Sequence, residues 1–192
     1  MSRFYKNILP KEEDCVIVSI DKVDEIGIYA KLIEYNGITG FLSFDDVSRT
    51  KVASKIKYRP GQQHIMQISS IVNSITDIVD LSTKFLTSEQ KEETKNRYEK
   101  ARQVHSIIEY LITLFPSDLG PEYLNEQLVW CIDNSNGGVN GTDLYNNMKK
   151  LSFTGDWKRI YPEKPNVPDN VLSKFIEQVQ QRFAPKHYKI YS

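Results

Sequence analysis

The spacing of apolar residues changes near Thr87, and this change divides the chain into two parts. Before Thr87, short segments place an apolar residue at every second position, which is typical of β-strands with one buried face. After it, apolar residues recur every third or fourth position, which is typical of amphipathic helices. We therefore predict an α+β fold, with a β domain in residues 1–86 and an all-helical domain in residues 87–184.

Five segments of the first part have the alternation of strands: residues 15–20, 26–32, 38–42, 64–72 and 75–81. Asn36-Gly37 predicts a tight hairpin between the second and third segments, because both residues readily accept positive φ. Asn73-Ser74 predicts a short turn between the last two. Five short strands in about 70 residues, with a long connection after the third, are typical of a small closed barrel. Residues 1–12 are predicted to form an extended arm.

Four helices are predicted in the second part. The first begins with a capping box at Thr87-Ser88-Glu89-Gln90 and ends before Pro116. The others span residues 121–132, 142–151 and 169–183. Glu93 and Arg97 stand four residues apart on the first helix, in the order that favours an ion pair. His105 falls on the apolar side of the same helix, so we interpret it as a core residue.

Composition and spacing argue against several function classes. Basic and acidic residues are equal in number, 25 of each, which argues against a protein that coats nucleic acid over its whole surface. Two distant cysteines fit a reducing compartment, and no apolar run approaches the roughly 18 residues of a membrane span, so we expect a soluble, cytoplasmic protein. The scattered histidines do not have the spacing of a metal site, and neither a nucleotide-binding loop nor a nucleophile elbow occurs. We predict no catalytic residue, metal or cofactor, and thus no enzyme.

The clearest asymmetry of charge is the stretch that follows the third predicted strand, residues 43–61. No Asp or Glu occurs from Val47 to Thr76, while the stretch contains five basic residues: Arg49, Lys51, Lys55, Lys57 and Arg59. A basic loop on a compact β domain favours contact with phosphate, either in nucleic acid or on a modified side chain. The alternative is a solvated loop, because charge runs alone are weak motifs.

Three further residues are candidates for RNA binding: Tyr29, Lys31 and Phe41. They alternate with the core-facing positions of the second and third predicted strands, so they belong to the outer face of the barrel. Small barrels of this kind use aromatic side chains to stack bases and basic side chains to pair with phosphates. The alternative is that Tyr29 and Phe41 cover the barrel exterior against the helical domain. The sequence leaves both interpretations open.

Several short motifs follow one another in an order that resembles a known family. They are Arg3-Phe4-Tyr5, Pro10, Glu13-Asp14, Glu25-Ile26-Gly27-Ile28-Tyr29, Leu32-Ile33-Glu34-Tyr35-Asn36, Gly40, Val47-Ser48-Arg49 and Asp80-Leu81-Ser82. In this order they resemble the N-terminal part of the alpha subunit of eukaryotic translation initiation factor 2. The resemblance is dense over residues 3–49 and thin over the helical part.

The resemblance implies an S1-type oligonucleotide-binding barrel, or OB fold, followed by a helical domain. It implies a subunit that helps deliver initiator methionyl-tRNA to the small ribosomal subunit, with GTP bound to the gamma subunit. The implied partners are initiator tRNA, mRNA, the small ribosomal subunit, the beta and gamma subunits, a guanine-nucleotide exchange factor and a regulatory protein kinase. Ser48 stands where the family's phosphorylated serine stands, in the regulatory loop 43–61. Residues 185–192 are expected to link to a C-terminal α/β domain that this sequence lacks.

Two departures from the family lead to an alternative function. The basic run that follows Ser48 contains fewer arginines than in the family. Residues 74–80 replace a Lys-Gly-Tyr-Ile-Asp motif that the family's kinases grip. The alternative is therefore a truncated, viral-type pseudosubstrate that inhibits the kinases of this factor.

Overall fold

The computed structural model describes residues 2–47, 51–71, 78–116, 119–133 and 143–184, without the side chains of residues 51 and 52. The chain forms two compact units. The first is Met1–Lys100 and the second begins at Ala101. The boundary between the units falls within a long helix, which is thus shared by them in sequence.

The first unit is a five-stranded barrel. Its strands are β1 (Cys15–Val23), β2 (Gly27–Leu32), β3 (Ile38–Ser43), β4 (Gln63–Ile71) and β5 (Val79–Ser82). They close in the order β1-β2-β3-β5-β4, with β4 paired back to β1. All neighbours are antiparallel except β3 and β5, which are parallel. The predicted α+β fold with a closed five-stranded barrel is confirmed.

Alternate residues of the strands fill the barrel. Its fully buried side chains include Val16, Val18, Ile20, Ile28, Ala30, Leu32, Leu42, Met66, Ile68 and Leu81. The hairpin between β2 and β3 has positive φ at Asn36 (56°) and Gly37 (68°), as the sequence predicts. Gly40 faces this core, where a Cβ atom would lie 2.5 Å from a Leu81 methyl carbon. Only glycine leaves room for that leucine. The predicted turn at Asn73-Ser74 lies outside the described residues.

One prediction about an irregular segment in this unit was wrong. The stretch 43–61 is not a loop throughout, because it contains a 3₁₀ turn (Phe44–Asp46) and the helix α1 (Lys51–Lys57). One side of α1 packs into the unit, since Ser54 and the following Tyr58 are both buried. The N-terminal arm packs against this unit. Tyr5 is only 1% exposed, and Arg3 forms a β-bridge with Tyr35.

The long helix α2 (Ser88–Leu114) begins with the predicted capping box. The Thr87 amide donates to Gln90 Oε1 (3.0 Å), and the Gln90 amide donates to Thr87 Oγ1 (3.1 Å). Pro116 follows the end of the helix, as expected of a residue that cannot continue it. Both ends of this helix are therefore determined by local sequence.

The second unit is helical. After α2 come α3 (Pro121–Leu124), a π-helical turn (Asn125–Val129), a 3₁₀ turn (Trp130–Ile132), α4 (Leu144–Thr154), α5 (Trp157–Ile160) and α6 (Asp169–Phe183). Their apolar side chains form one core around Ile107, Leu111 and Phe175. His105 is buried beside this core, and burial lowers the pKa of its imidazole. Its interpretation as a core residue is confirmed.

Candidate nucleic-acid interface

Three of the predicted RNA-binding residues lie together on the outer face of β2 and β3. Tyr29 and Phe41 are direct register partners, and their ring centroids are 4.9 Å apart at an interplanar angle of 49°. Lys31 follows Tyr29 on the same face of β2 and is the register partner of Thr39 on β3. Its Nζ donates to Thr39 Oγ1 at 2.9 Å. All three predicted residues are half-buried. The face therefore presents two adjoining aromatic rings beside a positive charge.

A fourth member of this face, Lys22, was missed by sequence reasoning. Its Nζ lies 4.7 Å from the centroid of the Tyr29 ring, which is a cation–π contact. Strict alternation groups position 22 with the core positions 16, 18 and 20. The β1–β2 register shifts between Ile20 and Lys22, however, so Lys22 is exposed and pairs with Tyr29. A bulge of this kind leaves no clear signal in the apolar pattern.

Gly27 determines how the aromatic pair packs. A Cβ atom at this position would lie 2.4 Å from the Leu42 carbonyl oxygen and 2.6 Å from Cζ of Phe41. The missing side chain thus lets the Phe41 ring lie directly on the start of β2. The turn before it is fixed by Asp24, whose Oδ1 accepts the amides of Ile26 (2.9 Å) and Gly27 (3.1 Å). The ring positions are consequently set by backbone geometry rather than by loose surface packing.

The basic residues of the stretch 43–61 whose side chains are described lie on α1 and just after it. Lys55 Nζ is 3.2 Å from Glu25 Oε1, so α1 is joined to the β1–β2 turn that leads into Gly27. Lys57 Nζ lies 5.2 Å from the centroid of Tyr58, and Arg59 Nε donates to the carbonyl of Ile56 at 3.3 Å. An exposed ion pair contributes little stability. A phosphate can therefore compete with Glu25 for Lys55.

The remaining predicted site residues lie wholly or partly outside the described residues. Ser48 and Arg49 lie outside the described residues, and Lys51 is described only as the first backbone position of α1. The role of Ser48 as a phosphate acceptor and those of Arg49 and Lys51 as basic RNA-binding residues stay predictions. In the described ranges, no group of three or more His, Cys, Asp or Glu could hold a metal ion. None of the helices described there is long and apolar enough to cross a membrane.

Several of the motif residues belong instead to a buried polar cluster inside the first unit. Glu34 is fully buried, and its Oε1 accepts hydrogen bonds from Arg97 Nη2 (2.7 Å) and the Ile17 amide (3.1 Å). Its Oε2 accepts a hydrogen bond from the Tyr5 hydroxyl. Arg97 Nη1 also donates to the Cys15 carbonyl at 2.9 Å. We call Tyr5, Glu34 and Arg97 the buried triad; it joins the N-terminal arm, the barrel and the first half of α2.

The triad is an electrostatic unit rather than a surface site. Burial, and then the negative charge of Glu34, raise the pKa of the Tyr5 hydroxyl well above its usual value. Burial is the largest single effect on Arg97 and opposes its charge, but Glu34, Tyr5 and Tyr35 together outweigh burial, so the pKa of the guanidinium is raised. The predicted ion pair between Glu93 and Arg97 was therefore wrong about the partner. Arg97 pairs with Glu34 because a buried carboxylate is strongly destabilised without a positive partner, whereas the exposed Glu93 is solvated by water.

Comparisons with known proteins agree with this architecture. No protein-family model matches the chain. It is 25% identical over 192 residues to "Eukaryotic translation initiation factor 2 subunit 1" of Dictyostelium discoideum, covering 98% of this chain and 53% of that protein. It is 24% identical over 200 residues to "Eukaryotic translation initiation factor 2 subunit alpha" of Arabidopsis thaliana, covering 98% and 57%. The chain thus spans about half the length of these curated relatives.

Two solved structures share the fold. One is the intact alpha subunit of aIF2 from Pyrococcus abyssi, with a TM-score of 0.68 and 17% identity, covering 90% of this chain and 62% of that one. The other is the a/eIF2alpha chain in a complex with aDim2p and rRNA from Pyrococcus horikoshii OT3. Its TM-score is 0.65 at 19% identity, and the match covers 90% of this chain and 96% of that one. The predicted barrel followed by a helical domain is thus found in solved structures.

Proposed function

Because this chain is related over 98% of its length to the alpha subunit of eukaryotic translation initiation factor 2, we propose that it is a subunit of a translation initiation factor. In this role it is not itself an enzyme. It helps deliver initiator methionyl-tRNA to the small ribosomal subunit, in a complex whose GTP is bound by the gamma subunit. The beta subunit, mRNA and a guanine-nucleotide exchange factor are its further partners.

The main support for an RNA-binding role is the set of side chains on the outer face of β1, β2 and β3. Tyr29 and Phe41 offer two adjoining rings for bases, and Lys22 over the Tyr29 ring and Lys31 further along β2 offer charges that pair with phosphates. Two rings and two lysines contact only a few nucleotides, so the binding is weak and sensitive to salt. The relative from Pyrococcus horikoshii was solved in a complex containing rRNA, which supports RNA as the ligand class.

Purification of the full natural protein that contains this sequence tests the proposed role. We expect a tagged copy, isolated from its own cells under native conditions, to bring down beta and gamma subunits and to enrich initiator tRNA over elongator tRNAs. Mass spectrometry and RNA sequencing measure both, and a tagged unrelated barrel protein is the control. Recovery of a protein kinase without tRNA or the other subunits would contradict the proposal and favour the inhibitor alternative.

Phosphorylation of Ser48 is the expected regulatory event. A phosphate there adds about −1.5 to −2 charge beside Arg49 and Lys51, and this change is large enough to reorganise the segment. We expect a kinase of this factor to label the purified protein on Ser48, as mapped by mass spectrometry, and not to label Ser48→Ala. Phosphate on Ser43 or the buried Ser54 instead would contradict the assignment. Tight binding that blocks the kinase without phosphate transfer would favour the pseudosubstrate.

A further inference from the structure

The second unit carries a separate cluster of exposed positive charge on α4 and α5. Helix α4 buries Leu144, Met148 and Leu151, so its opposite face is turned to solvent. That face carries Lys149, Lys150 and Phe153, and the phenylalanine is 59% exposed. Phe153 stands four residues after Lys149 and three after Lys150, so the three side chains are neighbours on the helix surface.

Helix α5 follows α4 after two residues and carries two more exposed cations. Gly155 ends α4 with φ at 65°, and the chain turns at once into α5. Trp157 anchors this short helix, because its ring packs edge-on against Phe175 (centroids 6.1 Å apart). The next two residues, Lys158 and Arg159, are exposed. We call Lys149, Lys150, Phe153, Lys158 and Arg159 the α4–α5 basic surface.

The four cations of this surface have no ion-pair or hydrogen-bond partner for their side chains within the described part of the chain. Other cations of the same unit differ: Lys164 pairs with Asp169 and Lys174 with Glu177. One acid, Asp156, stands among the four, between the two helices. Unpaired positive charge concentrated in one short stretch of a compact unit attracts a polyanion.

We propose that the α4–α5 basic surface binds the phosphate backbone of helical RNA. The outward face of a helix is convex, whereas proteins that bind single strands generally use a positively charged groove with several aromatic side chains. An A-form duplex presents phosphates on both sides of a wide, shallow minor groove, where a convex element can bridge them. Lysines act there as point charges, so the surface binds RNA by its shape and not by its sequence. This site is independent of the aromatic face of the barrel.

Binding of two RNAs by the whole chain tests the proposal. Fluorescence anisotropy is measured with a labelled RNA duplex of about 16 base pairs and with a single strand of equal length, between about 50 and 200 mM salt. The test variant combines Lys149→Gln with Lys158→Gln. We expect duplex affinity to weaken by roughly tenfold, and the slope of log affinity against log salt to flatten by about 2, because two phosphate contacts are lost.

A matched control removes the same charge from the same unit. Lys164→Gln with Lys174→Gln changes lysines that already have carboxylate partners, and we expect duplex affinity to change by less than about twofold. Circular dichroism checks that both variants fold. Equal weakening in the two variants would mean a diffuse charge effect and would overturn the proposal.

Three other results would also overturn it. The first is a wild-type chain that does not bind the duplex at low salt, and the second is a test variant that binds it like the wild type. The third is a wild-type chain that binds the single strand more tightly than the duplex and loses this binding in Phe153→Ala. That result would mean that the surface stacks bases. This test is separate from that of the barrel face. Variants of Tyr29 and Phe41 are expected to change single-strand binding and to leave duplex binding intact.

Discussion

Glu34→Ala is expected to lower the free energy of unfolding of the first unit by about 3 to 5 kcal/mol. The substitution leaves the buried guanidinium of Arg97 without its carboxylate and removes the acceptor of the Tyr5 hydroxyl. It also leaves the Ile17 amide unpaired inside the barrel. A buried charge without a partner is more costly than any single lost contact, because its desolvation is no longer offset.

The two units make this effect separable. Hydrogen exchange of barrel amides, such as those of β1, reports the first unit directly. Both tryptophans, Trp130 and Trp157, lie in the second unit, so their fluorescence during urea unfolding shows whether that unit is affected. We expect accelerated exchange in β1 and little change in the midpoint that the tryptophans report.

Glu25→Ala is the matched control. Glu25 also pairs with a cation, Lys55, but its side chain is 84% exposed. We expect a change within about 0.5 kcal/mol, as is usual for exposed surface positions. Tyr5→Phe is the graded variant, since it removes one buried hydrogen bond and is expected to destabilise by about 1 to 3 kcal/mol. A Glu34→Ala effect no larger than that of Glu25→Ala would contradict a structural role for the triad.

The features that the sequence predicted correctly depend on local chemistry. The last helix was predicted for residues 169–183 and is observed as Asp169–Phe183, because its apolar spacing is regular and Pro168 precedes it. The capping box at Thr87 and the hairpin at Asn36-Gly37 each need only four or fewer consecutive residues. Local patterns of this kind are legible without knowledge of the fold.

The features that the sequence did not predict depend on distant residues. Arg97 finds its partner 63 positions away in the chain, so the nearby Glu93 was a misleading signal. The arm residue Tyr5 is buried by the barrel and α2, whose arrangement the arm itself does not encode. Lys22 reaches the aromatic face only because a bulge changes the β1–β2 register. In each case the position of the side chain depends on tertiary contacts, which the local sequence pattern does not determine.

Tyr29→Ala combined with Phe41→Ala is expected to weaken single-stranded RNA binding by roughly 5- to 150-fold for each base that loses its ring, since base–aromatic stacking contributes about 1 to 3 kcal/mol per base. The two rings adjoin across β2 and β3, so a stacked base contacts one or both of them. The measurement is anisotropy of a labelled single strand at low salt, with urea unfolding of the same variant.

Two further variants separate stacking from charge. Tyr29→Phe keeps the ring, so we expect affinity within about twofold of the wild type. Lys22→Gln with Lys31→Gln keeps both rings and removes two charges, so we expect a flatter dependence on salt with a smaller loss of affinity. The alternative role of Tyr29 and Phe41, as cover for the barrel exterior, predicts the opposite pattern for the double alanine variant. Lost stability with unchanged RNA affinity would place the RNA-binding surface elsewhere, because rings that only cover the barrel do not touch a base.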